Sequence, residues 1–385
     1  SDMCSSDLYP DGEVVTYSYN QGGLLNKVTG SKNSVNTVYV DDIRYDKFEQ
    51  RTLLQYGNGT QTDYSYNPLN RLMNTLKVQK GSTVLMNNAY SYDAVQNITG
   101  IVSSNITQGA IGGSMSHQYR YDNLNRLDSA WGSFVGPNSK MADYTLGLSY
   151  DNLHNITRKT QDIVQQNLKF NGILSTGYNL SYTYADNSQQ IANIADASYR
   201  ADRSGGTYDT GRQQTDVLNE KAQSFTYDAN GNMTYVATGK KLNDSTLQAT
   251  SSRQLLWDEE NRLLAISDNG YVSNYWYDAA GERTVKQSGG SEGVFVNGVF
   301  SGGSTKSGKF TAYISPYMVV SNGGNYSKHI YMGSQRIVSK LSNSGIFAAS
   351  PVTVTDQQAR YALQSHKIKE RFDSLEVVYT GTAQT

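Results

Sequence analysis

The strongest constraint on this chain is a short phrase that recurs along most of its length. The clearest copy, residues 225–236, reads F-T-Y-D-A-N-G-N-M-T-Y-V. Phe225 and Tyr227 alternate with Thr226, as on a strand whose successive side chains face opposite ways. Asp228 can accept a backbone N–H two residues on, and Gly231 tolerates the positive φ that closes such a turn. Asn232, Met233, Thr234, Tyr235 and Val236 then resume alternation. The phrase predicts a β-hairpin with the four-residue turn D-A-N-G.

Ten copies align on the anchors Tyr19, Tyr45, Tyr66, Tyr92, Tyr121, Tyr150, Tyr184, Tyr227, Trp257 and Tyr277. Two residues before each anchor stands a large apolar or aromatic side chain: Tyr17, Ile43, Tyr64, Tyr90, Tyr119, Leu148, Tyr182, Phe225, Leu255 and Tyr275. The residue after the anchor is Asp or Asn in every copy but one, which has Ala185. Four positions after the anchor stand Gly23, Asn70, Asn125, Gly231, Asn261 and Gly281, the two residue types that best accept a left-handed backbone. Glu49, Gln96 and His154 hold that place in three further copies, and the Tyr184 copy carries one extra residue. The anchors are unevenly spaced, which predicts hairpins joined by return segments of variable length.

The phrases Y-D-A-N-G-N-M-T, Y-N-P-L-N-R-L, Y-D-N-L-N-R-L, W-D-E-E-N-R-L and Y-D-A-A-G-E-R-T resemble the YD repeat of Rhs-family proteins. That family includes bacterial polymorphic toxins, wall-associated proteins and shell components of insecticidal toxin complexes. The resemblance covers residues 17–341, and residues 312–341 resemble the segment that closes the array in Bacteroidetes-type Rhs proteins. It implies an all-β fold: antiparallel hairpins in a spiralling sheet that forms a hollow shell around a C-terminal toxic polypeptide. It also implies an aspartyl self-cleavage core at the end of the shell. That core's D-P-x-G and G-x-R-Y-Y-D-P phrases do not occur in this sequence. The expectation is a non-catalytic shell segment, secreted or at the bacterial cell surface. Its partners would be the downstream toxin and self-cleavage core of the same precursor. The alternative is a surface adhesin or carbohydrate-binding repeat module, whose Tyr and Trp rows would stack on sugar rings.

Composition agrees with a sheet that is wet on one face. The 385 residues include 30 Tyr and 35 Gly but 5 Pro, with 37% hydrophobic residues. Tyrosine brings large apolar area with a polar tip, which suits a half-solvated sheet. The net charge of −1 leaves no electrostatic footprint for nucleic acid or an anionic membrane. Cys4 stands alone, so no disulfide framework is expected. No apolar run approaches the roughly 18 residues of a membrane span.

Along the chain, residues 1–8 fit no repeat and read as a ragged end of a piece of something longer. Residues 9–285 hold the array, with strand candidates at 37–40 and 83–86. Residues 101–118 read as a Gly/Ser/Asn-rich return loop, and 185–225 as either an ordered excursion or a mobile loop. Residues 286–345 read as Gly-rich hairpins closing the array: a loose one at 289–308 around Val294, Val296 and Val299, then strand 312–320, turn 322–325, strand 326–332 and strand 336–341. Residues 346–385 read as a linker with a helix near 356–372. Thr355 and Gln358 form a capping box there, Asp356 and Arg360 an i,i+4 pair, and Tyr361, Ile368, Phe372 and Leu375 one face.

The chemical motifs are weak. Residues 303–309 fit G-x4-G-K, but Phe310 stands where a phosphate-binding loop needs Ser or Thr. Asp209-Thr210-Gly211 matches an aspartic-protease tripeptide without the second carboxylate that such a site shares its proton with. His117, His154, His329 and His366 have neither ligand spacing nor a paired nucleophile. The sequons at Asn97, Asn155 and Asn232 follow from the repeat itself and are not read as glycosylation sites. No catalytic, cofactor-binding or metal-binding residues are expected, and no cofactor. The residues singled out are the ten anchors and the turn residues Asp228, Gly231, Asn125, Asn261 and Gly281.

Overall fold

A computed structural model of the chain describes residues 4–108, 111–168, 171–186, 188–204, 207–208, 218–241, 248–289, 293–296, 299–303 and 309–342. Among these residues every element is a β-strand except one 3-10 turn, Asn322–Gly324. The strands pair antiparallel, each chiefly with its neighbours in sequence. The expected all-β class of antiparallel hairpins is what the chain adopts. The helix expected at 356–372, the tripeptide at 209–211 and most of the 303–309 motif lie outside the described residues.

The chain divides into two compact units, Ser1–Leu8 with Gly12–Arg253, and Tyr9–Asp11 with Gln254–Thr385. The first is a long meander. Val14–Tyr19 pairs with Leu25–Lys32, which pairs with Val35–Tyr45, and the pattern runs on to Ile191–Ser204. Leu218–Tyr227 pairs back onto Ile191–Ser204 and forward onto Met233–Lys241. Val15, Val28, Val40, Ile43 and Leu54 are buried at the start of this unit. Most strand residues after them are half-buried, an environment that suits the apolar body and polar tip of Tyr. Glu13 is buried as well, and its Oε1 accepts a 2.6 Å hydrogen bond from the Tyr39 hydroxyl. Gly30 makes that possible: a Cβ there would collide with the Glu13 carboxylate and stand 2.6 Å from the Tyr39 ring.

In the second unit, Leu263–Asp268, Tyr271–Tyr277, Arg283–Gly289, Lys309–Ser315, Met318–Ser321, Tyr326–Met332 and Gln335–Ser342 pair in succession. Gly293–Val296 and Val299–Gly303 form a separate two-stranded sheet. Its Phe300 is buried with Ala265 and Val272, against Leu256. Residues 9–11 belong to this unit through a clasp of their own. The Tyr9 hydroxyl donates to the His329 carbonyl at 3.0 Å, and Lys328 Nζ pairs with Asp11 Oδ2 at 2.8 Å, both side chains 1% exposed. The Tyr9 and Tyr326 rings each lie 5.9 Å from the ammonium. Burial pushes the Lys328 pKa down, and Asp11 opposes that shift.

Three expectations change, and a fourth is decided between its alternatives. Cys4–Leu8 is no ragged end but a strand paired with Val14–Tyr19. Residues 101–118 are no loop: Ile98–Gln108 and Ile111–Tyr121 are long paired strands, their neighbours supplying the ladder that composition argued against. At 185–225 the ordered alternative holds among the described residues, with three strands, Ile191–Ser204, Thr207–Tyr208 and Leu218–Tyr227. The strand expected at 312–320 is two strands, Lys309–Ser315 and Met318–Ser321, folded back at Pro316 and Tyr317 with Ser315 opposite Met318.

Candidate functional site

The feature shared by most of the repeats is a turn with a tether. After the anchor, the Asp Oδ1 accepts the backbone N–H groups two and four residues on. Asp46, Asp93, Asp122, Asp151, Asp228, Asp258 and Asp278 all do so at 2.8–3.0 Å. In five of these turns Oδ2 is also held by the residue four after the Asp: Asn97, Arg126, Asn155, Asn232 and Arg262, at 2.7–3.0 Å. The amides of the three sequons are therefore engaged inside their own turns. These bonds hold the carboxylates of Asp46, Asp93, Asp122, Asp151, Asp228 and Asp258 below their ordinary pKa. For Asp228 the Asn232 side chain is the leading cause, and for Asp122 the Arg126 backbone N–H is. At Asp46, Asp93 and Asp258 desolvation is the largest single influence and acts upward, but the hydrogen bonds together outweigh it.

The left-handed residue follows the turn rather than the residue type. Gly23, Asn125, Gly231, Asn261 and Gly281 have φ between 58° and 86°, and so do Glu49, Gln96 and His154, between 62° and 73°. In the Tyr66 copy the position falls on Arg71 (φ 65°), not on Asn70, because that turn is one residue longer and closes from Asn67 N–H to the Leu72 carbonyl. The Tyr184 copy is lengthened likewise, closing from Ala185 N–H to the Gln190 carbonyl. The ladder slips by one residue immediately before the anchor in nearly every copy, so Tyr227 faces Met233 and the turn is wider than the D-A-N-G hairpin suggested.

That slip aims the anchor ring at the preceding copy. The Tyr45 hydroxyl donates to the Leu25 carbonyl, Tyr66 to Arg51, Tyr92 to Met73, Tyr121 to Ile98, Tyr150 to Leu127, Tyr184 to Ile156, Tyr227 to Ile191 and Tyr277 to Leu263. All eight bonds measure 2.7–3.0 Å, and each acceptor is the first strand residue after the previous turn. Burial pushes all eight phenols above their ordinary pKa, so they stay protonated donors. The Tyr19 hydroxyl lies 3.2 Å from Ser5 Oγ instead, and Trp257 has no hydroxyl to give. Sequence reasoning placed the anchors but read them as a packing ladder. The missed signal was the choice of Tyr over Phe at nine of the ten anchors, which packing alone does not require.

The histidines take local parts. His117 Nδ1 lies 2.9 Å from the Tyr144 hydroxyl, His154 Nδ1 lies 3.2 Å from Arg126 Nη1, and His329 Nδ1 lies 3.1 Å from Ser339 Oγ. Among the described residues no group of three His, Cys, Asp or Glu side chains is placed to hold a metal ion.

No protein-family model matches the chain, and no curated protein does. Among solved structures it is similar to the crystal structure of TcdB2-TccC3-Cdc42, with a TM-score of 0.48 and 14% identity over 88% of this chain. It is similar also to the Photorhabdus luminescens Tc holotoxin pore carrying a TccC3 mutation, with a TM-score of 0.43 and 16% identity over 88% of this chain. This chain spans 17% and 16% of those two chains. A porin-like protein from Bacteroides uniformis matches at a TM-score of 0.23 and 12% identity.

Proposed function

We propose that this chain is a non-catalytic wall segment of an Rhs-type shell, its sheet winding around a C-terminal toxic domain of the same secreted bacterial precursor. The observation that supports this reading best is the directional tether, in which eight of the ten hairpins are fastened by the anchor hydroxyl to the one before. A wall must deny access, and its weak points are the seams between units. Here the seam carries strand-to-strand hydrogen bonds and a side-chain bond to backbone in addition. The turn carboxylates are committed to their own backbone, which favours a scaffold over an acid–base site.

The test joins this chain to its native downstream region. A released C-terminal piece should stay associated with the repeats and resist added protease. Removing residues 17–100 should leave that piece exposed. A downstream region that is never cleaved, or that is equally protease-sensitive with and without the repeats, would overturn the shell reading and favour an adhesin.

A further inference from the structure

Five successive turns end in large apolar residues that face solvent. Phe48, Leu69, Val95, Leu124 and Leu153 stand three after the anchors Tyr45, Tyr66, Tyr92, Tyr121 and Tyr150, and are 54%, 92%, 65%, 61% and 59% exposed. Gly22 holds that place in the copy before the run, and Asn230, Glu260 and Ala280 hold it in the last three copies. The turn therefore does not need an apolar tip, since other copies close the same turn without one. The core does not need it either, because the side chains are out of it. Exposed apolar groups set in a regular row, unlike ones scattered singly, point to an interaction surface.

The five tips form one line. Three of the four adjacent pairs of turns are bonded to each other: Gln50 Nε2 to the Arg71 carbonyl at 3.0 Å, Asn97 Nδ2 to Asn125 Oδ1 at 3.0 Å, and Arg126 Nη1 to the Asp151 carbonyl at 3.1 Å. Each tip stands two strands from the next, about 10 Å at the usual strand spacing, so the row is about 40 Å long. At the Phe48 end the charges are mixed: Lys47 Nζ lies 5.0 Å and Arg71 Cζ 4.2 Å from the Phe48 ring, Arg71 is paired with Asp46, and Glu49 stands next to the tip. Asp46, Asp93, Asp122 and Asp151 turn their carboxylates inward onto backbone N–H groups, and the side chains left beside the other tips include the amides Asn70, Gln96, Asn123, Asn125 and Asn152.

We propose that this row is a self-association surface, occupied by the same row of a second copy of this chain. An occupant must offer apolar groups about 10 Å apart along a line, and a second row has that spacing by construction. A two-fold axis at Val95 sets Leu69 against Leu124 and Phe48 against Leu153, a self-complementary pairing in which each contact occurs twice. A rim of amides with balanced charge raises no net like-charge repulsion against its own copy. Five exposed tips a side amount to roughly 1,000 Å² of total buried surface, at the lower bound for a specific interface, so the dimer is weak and reversible.

Sedimentation velocity on the full chain across a concentration series tests this, with a monomer–dimer equilibrium expected. Leu69→Asp with Leu124→Asp should raise the dimer dissociation constant at least tenfold while leaving the circular dichroism spectrum and urea midpoint unchanged. Cross-linking then locates the axis. In a Cys4→Ser background, Val95→Cys should form a disulfide with its own copy on mild oxidation, and Leu8→Cys, 76% exposed on a different strand, should not. A chain that stays monomeric at every concentration would overturn the proposal and assign the row to some other occupant. A dimer indifferent to the two aspartates, or cross-linking at residue 8 as readily as at residue 95, would overturn it as well.

Discussion

The hydroxyl of Tyr121 shows what a single atom does in this chain. It donates at 2.8 Å to the Ile98 carbonyl, beside the turn that closes from the Asp93 N–H to the Asn97 carbonyl. Tyr121→Phe removes that oxygen and little else, so it should cost about 1 kcal/mol, with part of the loss from a carbonyl left short of a donor. Tyr92→Phe and Tyr184→Phe, in separate copies, should add to each other. Urea midpoints of the single and double variants check both statements. A second consequence is an alkaline limit. Because folding raises the pKa of the eight tethered phenols, their contribution is intact below the unfolded value of about 10 and is lost as pH rises through the higher folded values. Phenolate absorbance should therefore lag behind that of the unfolded chain and rise together with loss of β-structure. Phenols that titrate at the unfolded value, without unfolding, would contradict the tethers. The anchors, the Asp after them and the glycines at 231 and 281 were legible in the sequence, because each acts within a few residues of itself. The acceptors were not. Ile98 is 23 residues from Tyr121, and only the slip in the ladder before the anchor brings the two together.

At the scale of the element, local signals were reliable where the turn chemistry is explicit and failed where neighbours decide. Asn269 and Gly270, at φ 51° and 84°, make the tight turn that an Asn-Gly pair favours. The fold-back at Pro316 and Tyr317 has no such pair, so the two strands on either side read as one. Gly112 and Gly113, at φ 90° and 157°, made residues 101–118 look like a loop, yet they sit in a strand that is paired on both sides. The clasp at the strand Tyr326–Met332 lay beyond any local signal, because Asp11 and Lys328 are 317 residues apart. Its energetics can be tested by a mutant cycle. Lys328→Met leaves the Asp11 carboxylate buried beside a methionine and should cost roughly 3–5 kcal/mol, as single removal of a buried ionic partner does. Asp11→Leu with Lys328→Met removes both charges and should recover most of that loss. A double variant no more stable than the Lys328→Met single variant would mean that the pair matters for its shape and not for its charge.

At the scale of the whole molecule, the repeats of the first unit form a chain of nearest-neighbour contacts. Strands pair with those next to them in sequence, and each tether reaches back one copy. Between neighbouring copies stability is then close to a sum of hairpins and seams, and the clasp of Tyr9 and Asp11 on the strand Tyr326–Met332 is a contact of longer reach. This predicts tolerance to deletion in phase. Removing residues 93–121 joins Tyr92 to the turn that begins at Asp122, so the anchor, turn Asp and left-handed Asn125 keep their order. The Tyr150 hydroxyl still finds the Leu127 carbonyl, and the strand ending at Tyr92 takes the place of the one ending at Tyr121. The shortened chain should keep its β-sheet circular dichroism and unfold cooperatively, at a lower urea midpoint in proportion to the hairpin and seam removed. Deleting only residues 109–121 should behave differently. It removes one strand of a pair, leaves Ile98–Gln108 running straight into the turn at Asp122, and reverses the direction of every strand that follows relative to those before. That variant should aggregate or lose cooperativity despite losing fewer residues. Equal damage from both deletions would show that the array is held by contacts beyond neighbouring copies.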